Sequence, residues 1–229
     1  MFIFLDTETT GNEPGDRLCQ IAYKAGDQPP ISGLFNPGKK ISIDAMVVHH
    51  ITDKMVEDKP AFTGSPEHEQ LLILVKDKEN VVVAHNASFD MGMLHKKGIY
   101  TDRVICTLKL ARHLDKNGVI PKYNLQYLRY YLGLEVDAKT HDAAGDIAVL
   151  EALFERLHTK IVEQPGIGDP IQEMIRISNN PVLILRIPLG KHRGTHFKDI
   201  PRDYLEWLSG TELDEDMEYT VKHYLSIFE

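Results

Sequence analysis

Cysteine is scarce in this 229-residue chain: Cys19 and Cys106 are its two, each in a strand-like segment, with no CxxC or Cys/His cluster around them. That argues against a disulfide framework or a thiolate zinc site and favours a reducing cytoplasm. Long apolar runs are missing too. The opening MFIFL is far too short to span a bilayer, no basic segment stands before it, and Asp6 interrupts it, so neither a membrane partner nor secretion is expected. A basic excess is also lacking. The formal net charge of -8 argues against holding nucleic acid by diffuse attraction, which needs clustered Lys and Arg. An enzyme remains open, because a site that gathers carboxylates for metal ions raises the acidic count, and the recruited cations reverse the local field. There is no internal repeat and no low-complexity tract. The 42% hydrophobic content suffices for one full core and a small appendage.

Three apolar runs come first: FIFL after Met1, RLCQIAYKA (17–25) and ISGLF (31–35), separated by the turns NEPGD and AGDQPP. Connections that short favour an antiparallel meander. Residues 42–58 read as two short helices and 66–77 as a longer one. VVVAH (81–85), apolar without alternation, reads as a central parallel strand covered on both faces. A helix over 88–97, the short strand VICT, and helices near 107–115 and 124–132 follow. Ile147, Leu150, Leu153, Phe154 and Leu157 repeat at helical spacing along 142–162. The order implies an α/β fold, a mixed five-stranded sheet flanked by helices. Two Pro and two Gly within EQPGIGDP (163–170) mark a boundary, after which Asp169 and Pro170 look like the cap and first-turn proline of a short helix. The expected organisation is a domain over 1–162, a linker with a short helix over 163–180, and a small C-terminal domain over 181–229.

Asp6 and Glu8, in FLDTETTG, lie one residue apart at the end of the first strand, so they share a face and repel unless a cation sits between them. Solvated acids at a strand end are the plain alternative. AHNASFD sets Asp90 just past the fourth strand, and HDAAGD sets His141 and Asp146 at the start of the last long helix. If the first and fourth strands are parallel neighbours, Asp6, Glu8 and Asp90 meet at one sheet edge, and a helix carrying Asp146 across it completes four carboxylates. Hard oxygen ligands without cysteine select Mg²⁺ or Mn²⁺ over zinc.

The ordered set DTET, NASFD and HDAAGD resembles the three motifs of the DEDDh exonucleases, relatives of the proofreading subunit of DNA polymerase III, over about residues 1–160. AMVVHHITDKMVEDKP, CTLKLAR, GKHRG and DYLEWL extend the likeness, toward the exodeoxyribonuclease branch, over nearly the whole chain. The resemblance implies an RNase H-like fold and a 3′-to-5′ exonuclease that releases nucleoside 5′-monophosphates from a free 3′ end, with single-stranded DNA as the favoured partner and two Mg²⁺ or Mn²⁺ ions per site. It implies Asp6, Glu8 and Asp146 as ligands of one ion, Asp6 bridging to the other, Asp90 assisting through water, and His141 as general base. Thr7, Thr9, Thr10, His49, Asn86 and Phe89 are the implied substrate contacts. Repair and nucleic-acid turnover are suggested by the same kinship. RNA trimming, a proofreading subunit inside a polymerase assembly and a small-molecule phosphomonoesterase remain as other readings.

Plainer roles exist for several of these residues. Asp90 suits a helix dipole, and Phe89 suits a core. Lys109 and Arg112 suit either phosphate contact or a solvated helix face. The stretch Arg186–Arg202 holds five Lys or Arg and one acid, so the C-terminal domain is a candidate nucleic-acid-binding accessory. Tyr204, Leu205, Trp207 and Leu208 are expected to form its small core.

Overall fold

The computed structural model describes residues 1–136 and 143–227. Five strands form one sheet: β1 (Phe2–Thr9), β2 (Leu18–Ala25), β3 (Ile31–Leu34), β4 (Val81–Ala84) and β5 (Val104–Cys106), in the order β3-β2-β1-β4-β5. β1, β2 and β3 make the antiparallel meander, while β4 and β5 run parallel to β1.

β1 is apolar from Phe2 to Leu5 because helices cover both faces there. Its even positions face α7 (Ala143–Val162), where the Phe2 and Phe4 rings lie 4.6 and 5.5 Å from that of Phe154. Its odd positions, Ile3 and Leu5, pack with α3 (Pro66–Lys76) and α4 (Ala87–His95) through Leu71, Met91 and Leu94. Asp6 and Glu8 continue the even series, so strand alternation aims both toward the start of α7. α7 keeps its stripe inward. Ile147, Leu150, Leu153, Phe154 and Leu157 are all buried, each worth roughly 1.5–3 kcal/mol relative to exposure.

The connecting helices are α1 (Ile43–His49) and α2 (Asp53–Val56) after β3, and α5 (Thr107–Leu114) and α6 (Leu125–Tyr131) after β5. α8 (Pro170–Ser178) begins as expected, with the Asp169 carboxylate accepting from the amides of Ile171 and Gln172. It belongs to the main core, however. Met174, Ile175 and Ile177 join that core, and the Ser178 hydroxyl accepts the Cys106 amide at 2.8 Å.

The C-terminal lobe carries α9 (Arg202–Ser209) and α10 (Glu215–Ser226) around its own core of Ile184, Ile187, Phe197, Leu205, Leu208 and Met217. Leu205 and Leu208 take the inward places expected for them. Tyr204 is partly buried and Trp207 is 60% exposed, so Trp207 is not a core residue. Two acids of α10 hold the lobe in place, Glu215 accepting Lys109 at 3.0 Å and Asp216 doing more. Asp216, buried on α10, accepts the Arg112 guanidinium at 2.7 Å and the Val182 amide at 3.0 Å, and Lys109 lies 3.6 Å away. Lys109 and Arg112 therefore pin one lobe to the other, which is neither of the roles their sequence position suggested. Among the described residues no helix is long and apolar enough to cross a membrane.

Candidate active site

Three elements deliver the carboxylates. Asp6 and Glu8 stand on the last turn-side half of β1, where the β1/β2 register shifts between Glu8 and Thr9. Such irregularities re-aim side chains where a strand leaves its ladder. Asp90 lies in the first turn of α4 and is buried, and Asp146 lies in the first turn of α7. Asn86 opens α4 in the left-handed region, at φ 66°, a conformation Asn tolerates better than most residues; Phe89 follows it in the same turn.

The acids act on one another electrostatically. Burial, then the Asp146 charge, pushes the Asp6 carboxyl up to about 7. Burial, then Asp6 and Asp146, pushes Glu8 up to about 8. Asp90 is held well above the ordinary carboxylate range by burial and by Asp6, against a 2.7 Å hydrogen bond donated by Thr7. Charges kept together at this cost are the electrostatic signature of a functional site. Asp16 gives the contrast within the same fold. Lys39 and Thr10 bond its carboxylate and hold it down at about 2, so it acts as a clamp on the loop after β1. Gly11 is needed there, since a Cβ at that position would fall 2.5 Å from the Asp16 Oδ2.

The resemblance placed three threonines around a terminal nucleotide; their hydroxyls turn inward instead. Thr7 donates to Asp90, Thr9 to the Gly11 carbonyl at 2.7 Å, and Thr10 to Asp16 at 2.6 Å, and all three side chains are buried. Their visible work is to position an acid and the backbone around it. His49 has both ring nitrogens engaged, Nδ1 accepting the Ile51 amide and Nε2 meeting the Thr9 carbonyl at 3.1 Å. That pattern, with burial lowering its pKa, suits a neutral ring fixed at the cavity wall. A cavity of about 500 Å³ opens there, with Glu8, Thr9, Val48, His49 and Phe89 among its walls. Phe89 is thus a cavity residue, outside the buried clusters. His141 lies outside the described residues.

Two positions were not singled out in the sequence. Gln126, in the first turn of α6, donates its amide to Asp146, and its own Oε1 is buried without a partner. His85 ties the end of β4 to the α5–α6 connection, with Nδ1 on the Thr107 hydroxyl and Nε2 on the Tyr123 carbonyl; burial drops its pKa to about 4. His85 sits inside AHNASFD, but nothing in that motif separates a latch from a ligand.

The four carboxylates and the orphaned Gln126 amide oxygen offer oxygen donors only, the kind that hard divalent cations take. Among the described residues no three His, Cys, Asp or Glu side chains already stand close enough to hold an ion.

The family model described as "Exonuclease" matches residues 3–154 of this chain. The chain belongs to the exonuclease family. It is accordingly a nuclease, a phosphodiester hydrolase. It is similar to Exodeoxyribonuclease 10 of Escherichia coli strain K12, with 30% identity over 241 aligned residues covering 98% of this chain and 99% of that protein. It is also similar to the DNA polymerase III subunit epsilon of Treponema pallidum, 32% identical over 72% of this chain and 80% of that one. Among solved structures, Exonuclease X in complex with 5′ overhanging duplex DNA aligns with a TM-score of 0.58 and 29% identity, over 78% of this chain and 100% of that chain. Escherichia coli Exonuclease I with a dA16 oligonucleotide shares the fold at TM-score 0.54 and 19% identity, over 70% of this chain and 42% of that one.

Proposed function

We propose that this exonuclease works 3′ to 5′ on single-stranded DNA, removing nucleoside 5′-monophosphates from a free 3′ end with two Mg²⁺ or Mn²⁺ ions at the carboxylate cluster. The observation that carries this reading is that Asp6, Glu8, Asp90 and Asp146 feel one another's charge beside a nucleotide-sized cavity walled by Phe89. The names of its relatives support DNA as the polymer.

Asp6, Glu8, Asp90 and Asp146 would hold the ions, with Asp6 shared between them and Asp90 acting through water. Divalent cations bound there would supply charge neutralisation at the phosphate and acidify water. The chain's own residues then have three tasks. Thr7 fixes Asp90 and Gln126 fixes Asp146, so that the acids keep their places as charge moves. Phe89 packs against the terminal base or sugar, which accepts every base in turn. His141 takes the proton of the attacking water on a ring nitrogen, the work of a general base.

The test is a 5′-labelled oligonucleotide, offered as DNA or RNA, with a free or blocked 3′ end, in Mg²⁺ or in EDTA. The expected result is a ladder shortening from the free 3′ end of DNA in Mg²⁺ alone, with His141→Ala slowing it by about 100-fold or more. Cleavage indifferent to the 3′ block overturns the polarity, and faster shortening of RNA overturns the choice of polymer.

A further inference from the structure

The C-terminal lobe does more than cover α5. Between it and the main domain lies a second cavity of about 470 Å³, separate from the one beside Glu8. Its cations come from both lobes: Arg112 and Lys122 from the main domain, Arg186 and Arg193 from the C-terminal one. Among the described residues no carboxylate lines it, in a chain whose net charge is -8. Two of the four cations are committed. Arg112 answers Asp216, and Arg186 donates to the carbonyls of Gly118 at 2.6 Å and Gly194 at 2.9 Å, which stiffens the wall. The other two are available. Lys122 and Arg193 are exposed, Arg193 has no side-chain hydrogen bond or ion pair among the described residues, and Lys122 meets only the Tyr127 ring, at 5.8 Å. Ile120, Leu108, Ile184 and Ile187 supply apolar wall between the charges.

Apolar walls under a cationic rim match a nucleotide, whose base is apolar on its faces and whose phosphate is an anion. Two segments link the groove to the active site in sequence. Asn86 lines it, three residues before the Phe89 of the catalytic cavity and four before Asp90; Asn124 lines it, two residues before the Gln126 that bonds Asp146. The starts of α4 and α6 thus carry residues of both places, which sets the groove next to the catalytic cavity along the chain.

We infer that the groove between the lobes is a second DNA subsite, which takes nucleotides lying 5′ of the one being removed and holds their phosphates with Lys122 and Arg193. This rests on the 3′-to-5′ reading above. It makes the C-terminal lobe a determinant of substrate length. Long strands gain affinity from the groove, while strands too short to reach it do not.

The test compares the full-length wild type with the double variant Lys122→Glu, Arg193→Glu and with the charge-keeping Lys122→Arg, Arg193→Lys, on oligodeoxynucleotides of about three and about 20 nucleotides. Both side chains are exposed, and circular dichroism checks that the variants fold. The expected result is a rise of about 10-fold in KM for the long strand in the double-Glu variant, with a salt slope shallower by roughly 1.4. The kcat on both strands and the KM on the short one stay at wild-type values, and the charge-keeping variant matches the wild type on both. Unchanged KM on the long strand overturns the subsite, as does an equal loss on both lengths, which would mean damage passed to the active site. Wild-type cleavage of the long strand that is indifferent to a 3′ block overturns the underlying 3′-to-5′ reading instead, so the two failures are distinct.

Discussion

Replacing Asp6 by Asn stabilises the metal-free protein at alkaline pH while removing a residue its chemistry needs. Asp6 is raised from 3.8 to about 7 in the folded protein, and the Asp6 charge helps raise Glu8 to about 8. An acid whose folded pKa lies above its unfolded value binds more protons folded than unfolded, so stability falls as pH rises from about 4 toward 8 and stays low beyond. A rise of about three units corresponds to ~4 kcal/mol for Asp6 once pH exceeds both values. Asn keeps the side chain's shape without its charge, so in EDTA the Asp6→Asn variant should melt on the order of 10 °C above the wild type near pH 8.5, since 1 kcal/mol moves a protein of this size by roughly 2–4 °C. Near pH 4 the difference should vanish. Differential scanning calorimetry across that range reads it directly. A Tm gain that does not depend on pH, or a loss at pH 8.5, would refute the argument that Asp6 is held against its own charge.

Thr7→Val removes the hydrogen bond that steadies Asp90 and should weaken Mn²⁺ binding about 10-fold in a calorimetric titration with little change in fold. Phe89→Ala should raise KM on single-stranded DNA about 10-fold while kcat stays within a few-fold, the loss of one stacked base, and should barely move Tm because the ring is outside the core. Asp216→Ala leaves the Arg112 guanidinium and the Val182 amide without their acceptor and should cost roughly 3 kcal/mol in urea denaturation.

What the chain reveals before it folds is what periodicity carries. The alternation in FIFLDTET assigns Phe2, Phe4, Asp6 and Glu8 to one face, and the structure puts that face against α7. The unbroken valines at 81–83 are buried on both sides, and the helical stripe from Ile147 to Leu157 is the main core's spine. The parallel pairing of β1 with β4, which brings Asp90 toward Asp6, is a condition that the sequence patterns leave open, and the structure meets it. Individual partners do not follow from periodicity either. Lys109 and Arg112 could face solvent or phosphate by any local rule, and the acid that claims Arg112 is 104 residues further on. Gln126 looks like any polar residue on an amphipathic helix until α6 lands beside α7. The threonines after Asp6 are of the right type for a substrate, yet each hydroxyl finds a nearer acceptor once β1 bends at Glu8. Trp207 has the composition of a core residue and the exposure of a surface one, because Leu205 and Leu208 already fill the small lobe.

The central claim is that Asp6 and Glu8 are held partly protonated within reach of the charges of Asp90 and Asp146, and that a divalent cation would take the place of their protons. Calorimetric titration of Mn²⁺ in buffers of different ionisation enthalpy counts the protons released. With Asp6 near 7 and Glu8 near 8, saturable binding at pH 7 should expel on the order of one proton per protein, and none near pH 9.5. Binding that releases no proton at either pH, and persists unchanged in Asp6→Asn, would contradict the account.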